Sequence, residues 1–193
     1  MKIENEITVM VTSQFDDLHE SLINNGFKVC DKYITNDIYM IDKNIDLNEL
    51  STLEILKKCI VVREIVGIKK VLLYKYKEYA DNGDILVNGK VECPITDIIK
   101  AIEFMEAINY TKLIEINDLC TEYVNDELEL IVQYVNNEYL FFEVEEEPRH
   151  INKRFSSIEE IKNTINKYNL PFARDNYFTK KAEIILNKKL KRN

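Results

Sequence analysis

Apolar and polar positions alternate from the first residues of the chain. Ile7, Val9 and Val11 share one parity, and Glu4, Glu6, Thr8 and Met10 share the other. A period of two marks a strand with one apolar face, and here it aims the carboxylates away from that face. The period then lengthens: behind a cap at Thr12 or Ser13, Phe15, Leu18, Leu22 and Ile23 fall on one helical stripe, and Gly26 is the stop. Extended segments are predicted over 27–41, 59–65, 69–77 and 85–93, with turns at Val66-Gly67 and Asp81-Asn82-Gly83-Asp84. Residues 42–56 read as a loop with one short helix.

A second cycle follows the first in outline. Val91-Glu92-Cys93-Pro94-Ile95 leads through a cap at Thr96 into a helix that carries Ile98, Ile99, Ile102, Met105 and Ile108 on one face. Extended runs come next, over 113–123, 127–134 and 139–145, separated by Asn125-Asp126 and Asn136-Asn137. Ser157-Ile158-Glu159-Glu160 is a capping box, and Ile158, Ile161, Ile165 and Tyr168 share the face behind it. Leu170-Pro171 ends that helix, and a last one runs from near Thr179 through Ile184, Ile185 and Leu186.

Strands with carboxylates on one parity and aliphatics on the other do not suit a sandwich, which would bury the charges unpaired. A barrel resolves this, with the polar parity lining a hydrated lumen and the aliphatic parity facing outer helices. The expected fold is therefore α+β, an eight-stranded antiparallel β-barrel built from two β-α-β-β halves with helices packed outside. One domain is expected over 1–193, with barrel strands over roughly 3–146 and C-terminal helices over roughly 157–190.

Composition adds exclusions. With 46% hydrophobic residues and only 4 Gly and 3 Pro, the chain is neither disordered nor collagen-like. No run approaches the roughly 20 apolar residues of a membrane span, and the first residues lack the apolar core of a signal peptide, so a soluble, cytoplasmic protein without membrane contact is expected. The 34 acidic against 26 basic residues, a net charge of −8, argue against nucleic acid as a partner. The basic tail of Lys180, Lys181, Lys188, Lys189, Lys191 and Arg192 reads as a solvated helix end whose cations suit the helix dipole. Cys30, Cys59, Cys93 and Cys120 are far apart and without a C-x-x-C pair, so they read as packed, reduced thiols.

Two acidic pairs carry the candidate chemistry. Glu4 and Glu6 on the first strand, and Glu143 and Glu145 on the last, each point to one face. Four converging carboxylates would hold Mg²⁺ or Mn²⁺ through oxygen ligands, and such ions neutralise a polyphosphate. Arg63, Lys75 and Lys77 add cations on neighbouring strands; these either pair with the acids or clamp phosphate oxygens.

The order of these features resembles the CYTH family, the triphosphate tunnel fold of class IV adenylate cyclases, thiamine triphosphatases, inorganic triphosphatases and RNA triphosphatases. Glu4-Asn5-Glu6-Ile7-Thr8 is similar to its E-x-E-x-K strand with threonine for lysine, Asn25-Gly26-Phe27 to its L-G-[AF] helix end, and Asp37-Ile38-Tyr39 to its D-x-Y strand. Cys59-Ile60-Val61-Val62-Arg63 resembles the L-R-x-R strand with Val61 for the first arginine, and Leu72-Leu73-Tyr74-Lys75 resembles L-T-x-K. Glu92 resembles the acid of R-x-E-x-E, and residues 133–145 resemble the segment that ends in E-x-E, with Gln133 where the family carries a metal-binding aspartate. The family's K-x-R pair corresponds to Asp118 and Cys120, although a one-residue slip near Lys90, Lys112 or Glu115 would restore a cation.

The resemblance implies a metal-dependent hydrolase acting on a triphosphate-containing small molecule. Glu4, Glu6, Glu143 and Glu145 would be metal ligands, Arg63, Lys75 and Lys77 substrate contacts, and Glu143, Glu145 and Lys75 the catalytic set. The replaced cations at Thr8, Val61, Asp118 and Cys120 support an alternative, a noncatalytic relative that binds a cation, a small anion or a protein. A class IV type adenylate cyclase is the lesser alternative, and homodimerisation is left open.

Overall fold

The computed structural model describes the backbone of residues 2–3, 6–79 and 85–192, with side chains for 6–76 and 89–192. The predicted turn at Asp81–Asp84 and the acid Glu4 lie outside the described residues. The elements are β1 (Lys2–Ile3), β2 (Glu6–Met10), α1 (Phe15–Asn24), β3 (Lys28–Asp42), α2 (Thr52–Lys57), β4 (Ile60–Ile65), β5 (Lys69–Tyr79), β6 (Ile85–Pro94), α3 (Ile98–Ala107), β7 (Tyr110–Val124), β8 (Glu129–Val135), β9 (Tyr139–Glu145), α4 (Ile158–Ile165) and α5 (Lys181–Leu190). The predicted first strand is represented by two described segments, β1 and β2.

Local chemistry accounts for the boundaries. Gly26 (φ +80°) closes α1 and Gly67 (φ +75°) turns β4 into β5, both in the left-handed region that suits glycine. Asn136 and Asn137 take φ of 51° and 54°, so the β8–β9 hairpin uses two successive left-handed residues whose twist matches the strands. Asp97, rather than Thr96, caps α3 by accepting the Lys100 backbone N–H at 3.0 Å. Gln14 precedes α1 without a side-chain cap. The short helix expected within 42–56 is α2, opened by a complete capping box between Ser51 and Glu54.

The chain divides into two compact units. One comprises residues 1–3, 34–117 and 180–193, where antiparallel β1, β6, β5, β4 and the second half of β3 lie in that order. The cross-strand partners Asp37↔Arg63, Arg63↔Val71, Leu73↔Glu92 and Lys75↔Lys90 place these residues on one face. The opposite face carries Met40 and Val62, which pack with Ala101 and Met105 of α3 and with Ile38, Ile60 and Leu72 around them.

The other unit comprises residues 4–33 and 118–179, with the second half of β7, then β8, β9 and β2 in order, again antiparallel. Its aliphatic parity faces the helices. Ile7, Val9, Phe142 and Val144 are almost wholly buried, the Phe172 ring packs edge-on against Phe142 at 5.2 Å, and His19 of α1 is hydrogen-bonded to the Tyr123 hydroxyl at 2.7 Å. The other parity carries Thr8, Asp118, Cys120, Glu122, Gln133 and Glu143. The described strand pairs within each unit are antiparallel, with helices against the aliphatic face, as the alternation required.

Two sequence expectations need correction. Cys59 and Cys120 are buried, but Cys30 and Cys93 are exposed, so only the first two pack as small hydrophobes. The basic tail is not merely solvated: Lys189 donates to the Leu113 carbonyl and Arg192 to the carbonyls of Leu50 and Leu47, with Leu186 fully buried beside them.

Candidate functional site

Strand register brings three of the four predicted acids together. Glu6 lies directly opposite Glu145, and Glu143 lies opposite Thr8, so all three carboxylates share one face of the β2–β9 pair. Glu4 lies outside the described residues. Gln133 of β8 reaches the same group: its Nε2 donates to Glu143 Oε2 at 3.4 Å. Gln133 is 6% exposed, and its Oε1 is buried and accepts no hydrogen bond among the described residues. A buried carbonyl oxygen in that state is costly unless something outside the chain meets it.

The predicted cations lie in the first unit and meet an acid there. Asp37, 4% exposed, accepts two bonds from Arg63, Nε to Oδ1 at 2.6 Å and Nη2 to Oδ2 at 2.5 Å, the fork geometry that guanidinium and carboxylate favour. Lys75 Nζ stands 3.9 Å from the same carboxylate and 3.4 Å from the Tyr39 hydroxyl. Burial alone would push the Asp37 carboxyl up; Arg63 by charge and hydrogen bond, then Lys75 and Lys181, outweigh it and hold the group below its ordinary value. Lys77 pairs through its backbone with Asn88, and its side chain is outside the described set.

Register also recovers a cation that the sequence left ambiguous. Lys90 is directly opposite Lys75, so two ammonium groups share one face of β5 and β6, flanked by Arg63 and by the ion pair of Lys69 with Glu92 at 2.8 Å. Like charges in opposite register suit an anion between them. Burial raises the Glu92 carboxyl, but the Lys69 hydrogen bond and charge, with Lys90 and Arg63, bring it below its ordinary value. Lys112, by contrast, pairs at the surface with Glu115.

A further cluster went unseen in the sequence. Glu122, wholly buried on β7, accepts from the Arg149 guanidinium at Oε1 and meets His150 Nε2 at 2.9 Å through Oε2. Glu129 accepts the backbone N–H groups of Arg149 at 2.9 Å and His150 at 2.6 Å, which fixes the loop after β9. Burial would lower the Arg149 guanidinium, but Glu122 and the Tyr33 hydroxyl raise it above its usual value. Only the alternation that faces Glu122 to Glu143's side of the sheet signalled it, since Arg149 and His150 lie in a segment without periodicity.

No family model matches the chain, and no curated protein does. Solved structures do match along nearly the whole length. The PH1819 protein of Pyrococcus horikoshii OT3 is 17% identical with a TM-score of 0.64, covering 96% of this chain and 99% of its own. A candidate adenylate cyclase from Vibrio parahaemolyticus is 13% identical with a TM-score of 0.63, over 96% and 98%. HpAC1 from Hippeastrum, a candidate adenylyl cyclase described as having a dominant triphosphatase activity, is 12% identical with a TM-score of 0.60, over 96% of each chain. At such identities the likeness is one of fold, and the fold is the CYTH-like one that the sequence motifs resemble.

Proposed function

We propose, from the CYTH-like fold and its two charged faces, that the protein is a metal-dependent phosphohydrolase of a triphosphate-containing small molecule. The observation that carries this reading is the oxygen set of Glu6, Glu143, Glu145 and the unmet Gln133 Oε1. Three carboxylates and one amide oxygen on adjacent strands fit a hard divalent cation, Mg²⁺ or Mn²⁺, better than any soft one. Such an ion, when bound, supplies charge neutralisation and polarisation of a phosphoryl oxygen.

The remaining tasks fall to the chain. Lys75 and Lys90 bind anionic phosphate oxygens as point charges, and Arg63 offers a planar fork that Asp37 holds in one orientation. Glu143, steadied by Gln133, and Glu145 orient the reacting group, and no histidine is needed as a base. The triphosphatase activity described for HpAC1 and the cyclase description of the Vibrio protein agree with a triphosphate as substrate class.

The test is phosphate release from tripolyphosphate, thiamine triphosphate, ATP and GTP with Mg²⁺ or Mn²⁺, against a chelator control. Turnover is expected to vanish with chelator and to fall by at least about a hundredfold in Glu143→Ala while the protein stays folded. Full turnover in that variant would remove the site assignment.

A second reading, a noncatalytic binder, is favoured by Val61, 1% exposed where the resemblance puts an arginine, and by the capture of Arg63 on Asp37. It expects stabilisation by metal or anion with no turnover across the same panel.

A further inference from the structure

Cys30, Glu122 and His150 present a sulfur, an oxygen and a nitrogen ligand atom that all lie within 4.8 Å of one another. Two of these residues are exposed and the third is buried beneath them, so the group has a rigid floor and an open approach. We propose that Cys30 Sγ, Glu122 Oε2 and His150 Nε2 form a binding site for a zinc-class divalent cation. This group shares the sheet face of Glu143 but is one strand removed from it: β8 lies between Glu122 and Glu143, since Ile131 is opposite both.

The donor set is what selects the metal. A thiolate, an imidazole and a carboxylate together suit zinc, whereas Mg²⁺ and Mn²⁺ prefer oxygen alone. Ligand atoms around a tetrahedral zinc stand roughly 3.5 Å apart, as follows from bonds of about 2.0–2.3 Å. His150 Nε2 and Glu122 Oε2 already stand at 2.9 Å, and the Cys30 thiol, which donates to the Glu122 carbonyl at 3.5 Å, lies beside them.

The surroundings also fit. Arg149 engages Oε1 of Glu122, and Oε2 faces His150 Nε2, the contact that a cation between them would replace. Glu129 grips the backbone N–H groups of Arg149 and His150, so the imidazole is held in place before any ion arrives. Counting Glu122 and Glu129 against Arg149, with the imidazole neutral, the local charge is −1, and a thiolate would make it −2, which a divalent cation balances.

For the cation to bind at Nε2, a neutral His150 carries its single ring proton on Nδ1, and the Cys30 thiol proton leaves to solvent. Thiolate ligation releases that proton, so binding weakens as pH falls.

The test is a titration of the metal-free, reduced full chain with Co²⁺, followed by Zn²⁺. We expect a thiolate-to-cobalt absorption band that saturates at one equivalent, is abolished by Zn²⁺ and is untouched by Mg²⁺. Cys30→Ser, at an exposed position, should lose the band, and His150→Ala should weaken affinity by at least about tenfold. Cys93→Ser, the other exposed thiol, and Glu143→Ala should keep it, the latter separating this site from the proposed phosphohydrolase centre. Absence of the band, its survival in Cys30→Ser, or unchanged affinity in His150→Ala overturns the proposal.

Discussion

Asp37 is the residue on which the first unit's charged face depends. A buried carboxylate survives because Arg63 holds it through two bonds and Lys75 stands nearby, so removing Arg63 leaves a charge that the interior cannot solvate. Arg63→Ala should lose about 3 kcal/mol of stability, the lower end of the range for a broken buried pair because Lys75 and Lys181 remain near the acid. The pH dependence has a definite sign. A carboxyl held below its ordinary 3.8 contributes stability that is fully present above that value and is lost as pH falls through the lowered one. Melting temperature measured from pH 6 downward should therefore drop more steeply in the native protein than in an Asp37→Asn, Arg63→Met double variant.

Among elements, helix caps divide cleanly into those the sequence announced and those it hid. Ser157 opens α4 as expected, accepting the Glu160 backbone N–H, but Glu160 turns its carboxylate to Ser156. The complete reciprocal box belongs to Ser51 and Glu54 at α2, a helix of six residues too short to impose a period on the sequence. Ser51→Ala should cost about 1 kcal/mol in a urea titration, with the slope unchanged. The same logic explains what was legible overall. The strands were readable because alternation persists over 28–42 and 110–124, and Asn136-Asn137 could only be a tight turn. The pairing of Glu6 with Glu145, of Lys75 with Lys90 and of Asp37 with Arg63 was not, because register is decided by partners distant in sequence. Nor was the grip of Arg149 and His150 on Glu122, which unites a strand with an irregular loop.

On the scale of the molecule, neither compact unit is a continuous stretch of chain. The first unit takes its last piece from residues 180–193, beyond residues 118–179 that belong to the other. What that piece contributes is physical rather than decorative. Leu186 is fully buried, Asn187 Oδ1 accepts from the Thr52 hydroxyl, and Arg192 donates to the carbonyls of Leu47 and Leu50 in the loop that leads to α2. The first of these carbonyls belongs to a 3₁₀ turn over Leu47–Glu49 and the second to the residue that ends it, so Arg192 ties that turn to the tail. Charged donors to backbone carbonyls are worth about 1.5–3 kcal/mol each when desolvated, and partial exposure here reduces that, so Arg192→Ala should cost about 1–2 kcal/mol. Leu186→Ala empties a buried site and should cost about 2–5 kcal/mol, as large-to-small core changes do. Arg192→Lys is the discriminating control, because it keeps the charge and removes the fork that reaches two carbonyls at once. If the tail served only as a cationic helix end, Arg192→Lys would keep full stability in thermal unfolding; docking through the guanidinium requires that it keep only part.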